Sequence, residues 1–236
     1  MLPEALLAEP AQALQRSTAR PRLELHQISK RWGTTGAVLD NVDLELRESS
    51  LVALVGRNGV GKTTLLRIAA GLIAPDAGRV ALDGFDPFAD RREYQRRLGF
   101  VSAGQGGLYA RLTVRQHLEY WSRLAFIPRR ERAAAVAAAI ERVAMAAKAD
   151  ARVDRLSAGQ RQRVRIAMTF MHGPSLVLLD EPHTSLDDDG VSAVEALVRD
   201  ALEGGASVVW CAPSVPALGL AFDEVYRVEN GKVSAA

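Results

Sequence analysis

Residues 51–64 read LVALVGRNGVGKTT. The first five residues are a continuous apolar run with the length of a buried strand, and residues 63–70 have the pattern of a helix that Gly71 ends. Between them stands the pattern G-x-x-x-x-G-K-S/T. It consists of Gly56, Arg57, Asn58, Gly59, Val60, Gly61, Lys62 and Thr63, and Thr64 follows. The order of strand, glycine-rich loop and helix predicts an α/β fold with a phosphate-binding loop.

The residue types of this loop suit a nucleotide. Its glycines let consecutive backbone N–H groups surround phosphate oxygens, and the helix N-terminus adds positive potential. Lys62 stands out because only four of the 30 basic residues are lysines. We expect Lys62 to reach the outer phosphates and the Thr63 hydroxyl to ligate Mg²⁺.

A second apolar run ends in two carboxylates. Residues 176–179 read LVLL, and Asp180 and Glu181 follow. Open α/β sheets place their ligands at the C-terminal ends of strands. We therefore expect Asp180 to hold Mg²⁺ through its water shell and Glu181 to polarise the water that attacks the γ-phosphate. An acidic pair after a strand is weak evidence alone, but it indicates a nucleoside triphosphatase when a phosphate-binding loop accompanies it.

The remaining pattern predicts a P-loop core with a mixed or parallel sheet. Residues 207–211 are another buried strand, and residues 98–101 a further one. Apolar and polar residues alternate over 23–28 and 38–46, which is typical of an antiparallel edge sheet. Helical patterns at 113–124, 129–148 and 158–172 predict an inserted helical subdomain.

Composition limits the classes of function. The 236 residues are 48% hydrophobic, which is enough for a substantial core. With 30 basic and 28 acidic residues the net charge is +2, so no nucleic acid partner is expected. Cys211 stands alone in an apolar run, where core packing is its expected role. Because no apolar stretch approaches the ~18 residues of a membrane span, any membrane role requires another chain.

Residues 156–160, LSAGQ, carry a family resemblance. Together with the loop and the acidic strand, they resemble the LSGGQ signature of ABC-type ATPases. The resemblance implies that Ser157, Gly159 and Gln160 form a second phosphate cradle for ATP held by another copy, and hence a dimer. A Ser that caps an ordinary helix would give the same local geometry.

The resemblance covers residues 22–234 as one nucleotide-binding domain, with an N-terminal extension at 1–21. It implies a helical subdomain at about 91–172 that docks on a membrane permease. Trp32 occupies the position that stacks on adenine, although a core tryptophan would look the same. Residues 185–187 resemble the D-loop that communicates between the two ATP sites, and Asp187 is its acidic residue.

Two positions depart from the family. The Q-loop glutamine, a ligand of Mg²⁺, should follow the strand at 98–101; Gln105 can fill this role from a shifted loop, or Ala103 marks its loss. The switch histidine should follow the strand at 207–211, where the chain has Pro213. His183, beside the acidic pair, is interpreted as a turn residue. The missing donor predicts slow hydrolysis.

The predicted function is that of an ATP-hydrolysing motor subunit of an ABC transporter. With ATP and Mg²⁺ as cofactors, it dimerises, as a homodimer or heterodimer, and drives a separate permease. The short single cassette, the LSAGQ variant and residues 107–113 resemble bacterial exporter-type ATPases, including the drug-export and haem-exporter groups, which implies export. Such a subunit is cytoplasmic and peripheral on the inner face of the membrane. Two alternatives remain open: a slow or degenerate half of a heterodimer, and a soluble ABC-type ATPase without a transport role.

Overall fold

The computed structural model describes residues 21–33, 36–104 and 106–236. Residues 1–20 of the predicted extension lie outside these ranges. Within them the chain forms nine strands and six α-helices. In chain order these are β1 (Leu23–Arg31), β2 (Ala37–Leu46), β3 (Leu51–Val55), α1 (Lys62–Ala69), β4 (Ala77–Leu82), α2 (Arg91–Arg97), β5 (Leu98–Val101), α3 (Val114–Leu124), α4 (Arg132–Arg142), α5 (Ala158–Phe170), β6 (Leu176–Asp180), α6 (Asp188–Glu203), β7 (Ser207–Ala212), β8 (Glu224–Glu229) and β9 (Lys232–Ala235).

The main sheet has the strand order β5-β6-β7-β3-β8-β9. Its pairs are parallel except for β8 with β9, which is antiparallel. Every residue of β3, β6 and β7 is buried, as expected for strands covered on both faces. A second, antiparallel sheet has the order β2-β1-β4. The predicted α/β fold, with an N-terminal antiparallel sheet and a mixed main sheet, is confirmed.

The two faces of the main sheet belong to different cores. Because side chains alternate along a strand, Leu176 and Leu178 of β6 join the core beneath the small sheet and α1. Val177 and Leu179 join the core built with α3 to α6. The same alternation places Asp180 on the α1 face of the sheet. Burial raises the pKa of the Cys211 thiol, which agrees with a core role for this cysteine.

Some elements differ from the predicted ones. The helix predicted over 129–148 ends at Arg142, because Ala144 adopts a left-handed conformation, φ 53°; a short 3-10 helix, Ala146–Lys148, follows. Strands β4, β8 and β9 and helix α6 were not predicted. The bounds of the helical subdomain, about 91–172, stay a prediction, and this range includes β5, which pairs with β6 in the main sheet.

Candidate nucleotide-binding site

The loop between β3 and α1 forms an open anion cradle. Gly56 and Gly61 have φ values of 154° and 111°, a backbone conformation that residues other than glycine rarely adopt. A Cβ at Gly56 would also lie 2.5 Å from the Val228 carbonyl oxygen. Gly61 is the N-cap of α1 and has no side chain to cap it, so the first N–H groups of the helix remain open to a ligand. The exposed tip of the loop is Arg57, Asn58 and Gly59, with Val60 half-buried.

Lys62 folds back over this loop. Its Nζ donates to the carbonyl oxygens of Gly56, at 2.6 Å, and Arg57, at 3.1 Å. The side chain is buried, and both acceptors are neutral. Its positive charge is therefore left uncompensated by these contacts, and it adds to the positive potential of the α1 N-terminus beside Thr63 and Thr64.

Thr63 and Asp180 are brought together across the site. Thr63 Oγ1 donates to Asp180 Oδ2 at 2.9 Å, and the Ala103 N–H reaches the same oxygen at 3.4 Å. Asp180 is 1% exposed, and both donors are neutral. A buried carboxylate whose hydrogen-bond partners are neutral is stabilised by a bound cation. Hydroxyl and carboxylate oxygens are the ligands that Mg²⁺ prefers. Thr63 and Asp180 therefore fit Mg²⁺. The described residues contain no cluster of three or more His, Cys, Asp or Glu with metal-binding geometry, so phosphate or water oxygens would complete the coordination.

Glu181 follows in a sharp turn. It has φ 51°, a conformation that costs free energy and recurs at functional sites. Its N–H donates to the Cys211 carbonyl at 3.0 Å, which fixes the turn against β7. The next residue, Pro182, accepts from Gln162 Nε2 at 3.0 Å.

The N-terminus of α5 carries the second predicted cradle. Ser157 is exposed and caps the helix: its Oγ accepts from the Gln160 N–H, and Gln160 Oε1 accepts from the Ser157 N–H. Gly159 packs closely on Ser185 in the predicted D-loop, because a Cβ there would lie 2.6 Å from the Ser185 carbonyl oxygen. Arg163 pairs with Asp187, which lowers the pKa of that carboxyl. Asp187 also caps α6 through the Gly190 N–H.

Trp32 lies at the end of β1 and is 47% exposed. Lys30 Nζ sits 5.1 Å from the centre of its ring. The following strand, β2, touches the phosphate loop, since a Cβ at Gly61 would lie 2.9 Å from the Val38 carbonyl oxygen. Trp32 is therefore an exposed aromatic side chain directly after β1, and its stacking on adenine stays a prediction.

Comparison with known proteins identifies the family. The family model described as ABC transporter matches residues 39–184. The chain belongs to the ABC transporter family. NatA of Bacillus subtilis, an ABC transporter ATP-binding protein, is 31% identical over 193 residues, which cover 82% of this chain and 78% of NatA. The sulfate/thiosulfate import protein CysA of Thermosynechococcus vestitus is 40% identical over 165 residues, covering 70% of this chain but 48% of CysA. The structure of cbiO1 from Clostridium perfringens, described as part of the cbiONQ transporter complex, has a TM-score of 0.77 at 25% identity, covering 91% of this chain and 87% of that one.

The fold is accordingly that of an ABC cassette, and the chain is the ATP-binding, ATP-hydrolysing subunit of an ABC transporter. Among the described residues, none of the helices has the length and apolarity to cross a membrane. Gln105 lies outside the described residues, so its predicted role in the ABC site stays a prediction. The alternative position, Ala103, donates its N–H to Asp180.

The position predicted for the switch histidine lies directly beyond the end of β7. Pro213 is exposed there and offers no side-chain donor. The half-buried His183 ring stacks on the core residue Trp210, with the ring centres 6.3 Å apart and the ring planes at 11°, and its interpretation as a turn residue stays a prediction. The sequence analysis did not identify Gln162 and Arg163 as site residues. Their one signal in the sequence is that polar residues continue after LSAGQ along α5, where both side chains are buried.

Proposed function

We propose that two copies of this cassette close around two ATP molecules and hydrolyse them to drive a separate membrane permease. The observation that carries this proposal is the Thr63–Asp180 hydrogen bond, which joins the phosphate loop to the acidic strand in one metal-competent site. The exposed Ser157 and the D-loop that packs on Gly159 provide a second surface for ATP bound to the other copy.

The roles of the residues follow from their places. The open N–H groups of α1 bind the phosphate oxygens, and Lys62 exchanges its loop carbonyls for the outer phosphates. Mg²⁺, held by Thr63 and Asp180, would neutralise developing phosphate charge. Glu181 orients and activates the attacking water, while Trp32 stacks on the adenine.

Slow hydrolysis is part of the proposal. At the end of β7, Pro213 supplies neither a side-chain donor nor a backbone N–H. A transition state that develops negative charge near the γ-phosphate loses one hydrogen bond there. Loss of such a donor costs on the order of a hundredfold in rate.

For the partner we propose a permease docked on the helical subdomain at the inner face of the membrane. We propose export as the direction, because residues 156–160 and 107–113 resemble those of exporter-type ATPases. Import is the second candidate, which the name of CysA favours. Transport assays in vesicles that carry the permease and this chain distinguish the two, because ATP supplied on the cassette side either accumulates substrate or expels it.

Dimerisation on ATP tests the proposal for the chain itself. We expect a Glu181→Gln variant to form a dimer in sedimentation velocity with ATP and Mg²⁺, and to stay a monomer with ADP. A Ser157→Arg substitution in the same background should abolish the dimer without weakening ATP binding to the phosphate loop. A Glu181→Gln variant that stays monomeric at saturating ATP would contradict a homodimer and favour the degenerate half of a heterodimer. A parent chain that hydrolyses ATP at full rate while it stays a monomer would favour the soluble ABC-type ATPase without a transport role.

A further inference from the structure

A buried arginine that makes no contact with an acidic side chain of the described residues lies close to the nucleotide site. Arg165, on α5, is only 8% exposed. Its Nη1 donates to Gln162 Oε1 at 2.8 Å and to the Gly104 carbonyl, and its Nη2 donates to the Ser102 carbonyl and, at 3.2 Å, to Ser102 Oγ. All four acceptors are neutral. A buried guanidinium costs free energy that such contacts only partly offset, so its presence favours a role beyond packing.

One peptide group connects Arg165 to Asp180, the proposed Mg²⁺ ligand. The Ser102 carbonyl, which accepts from Arg165, and the Ala103 N–H, which donates to Asp180 Oδ2 at 3.4 Å, belong to the same peptide unit. This peptide therefore lies with its negative end on the guanidinium and its positive end on the carboxylate. Hydrogen bonds in such a chain polarise and strengthen one another. Asp180 in turn accepts from Thr63 of the phosphate loop.

A second branch runs from Arg165 toward the turn that carries Glu181. Gln162 Oε1 accepts from Arg165, and the Nε2 of the same amide donates to the Pro182 carbonyl at 3.0 Å. Because the amide uses both ends, its orientation is fixed by Arg165 on one side and by the Pro182 turn on the other.

We propose that Arg165 is a positioning residue that holds residues 102–104 in place and, through the 102–103 peptide, orients Asp180 for Mg²⁺. This inference rests on the proposed role of Asp180. Groups that orient metal ligands directly change metal affinity about 10- to 100-fold when removed. Since Arg165 acts through an intervening peptide, we expect a smaller effect, about 3- to 10-fold.

Calorimetric titration of ATP, in EDTA and over a series of Mg²⁺ concentrations, tests the proposal. Arg165→Met should bind ATP in EDTA within about twofold of the parent chain, yet need about 3- to 10-fold more Mg²⁺ to reach half of its Mg²⁺-induced gain in affinity. Arg165→Lys keeps the charge but loses the planar fork, so its Mg²⁺ requirement should fall between the two. The matched control is Arg142→Met on α4, where Arg142 pairs with Asp200 at 2.7 Å on the surface.

The outcomes separate this inference from the proposed function. An unchanged Mg²⁺ requirement in the Arg165 variants that fold would overturn the positioning role. An equal loss of ATP affinity with and without Mg²⁺ would also overturn it, because a purely structural role predicts that result. If Arg165→Met does not fold, Arg165→Lys decides alone, with a rise of at least about twofold expected. A parent chain that binds no ATP would refute the proposed function and, with it, this inference.

Discussion

Replacement of Pro213 by histidine should accelerate ATP hydrolysis. In the main sheet, β7 lies between β6 and β3, and its register pairs Cys211 with Asp180 and Ala212 with Val55. Residue 213 is therefore the next position beyond the C-terminal end of β7, level in register with Gly56 of the phosphate loop and one residue beyond the level of Glu181, whose N–H donates to the Cys211 carbonyl. A histidine at this position would bring a ring N–H to the side of the site where the γ-phosphate is expected.

The size of the gain follows from the value of one preorganised donor, about 10²- to 10³-fold in kcat. The new side chain would stand on an exposed, irregular segment without the preorganisation of an evolved donor, so we expect about tenfold. The assay is phosphate release at saturating ATP and Mg²⁺. Pro213→Ala is the control, because it removes the ring constraint without adding a donor. A Pro213→His variant no faster than Pro213→Ala would refute the link between the missing histidine and slow turnover.

Three further predictions concern the surroundings of the site. Gly159→Ala should weaken ATP-dependent dimerisation in sedimentation runs, because its Cβ would lie 2.6 Å from the Ser185 carbonyl and displace the D-loop; an unchanged dimer would contradict this packing. Trp32→Ala should raise the Kd for ATP, measured by calorimetry, about fivefold, which corresponds to the loss of roughly 1 kcal/mol of stacking. Trp32→Phe should raise this Kd less, and two variants that both bind ATP as tightly as the parent chain would exclude stacking. The lowered pKa of Asp187 means that its pairing with Arg163 stabilises the fold above about pH 4 and is lost as the pH falls through the lowered value. In urea unfolding followed from pH 6 down to about pH 2, the parent chain should therefore keep its stability advantage over Asp187→Asn above about pH 4 and lose it progressively at lower pH, and a constant difference would show that the pair does not contribute.

The sequence is most informative where a strand is buried on both faces. β3 and β6 are uninterrupted apolar runs that end in chemistry-bearing residues, so both strands and the meeting of Thr63 with Asp180 could be anticipated. In contrast, β4 exposes its first three residues and contains a glycine, so its pattern does not identify a strand. The end of α4 could not be predicted from the sequence either, because the chain turns at Ala144 and not at a glycine or proline.

Tertiary contacts hid other parts of the site. Gln162, Arg163 and Arg165 are polar residues on a helix, a pattern that normally indicates a solvent face, yet all three are buried. Their partners lie in loops far away in the sequence: Pro182 for Gln162, Asp187 for Arg163 and residues 102–104 for Arg165. Only the folded chain brings these loops together around α5.

The most direct test of the account is Mg²⁺-dependent ATP turnover by the purified chain, measured beside Glu181→Gln. The Glu181 carboxylate is the proposed base for the attacking water, and the amide cannot accept that proton. We expect measurable turnover that requires Mg²⁺, and a loss of at least about a hundredfold in Glu181→Gln with ATP binding retained. Turnover of the parent chain equal to that of Glu181→Gln would contradict the assignment of this site as a working ATPase motor.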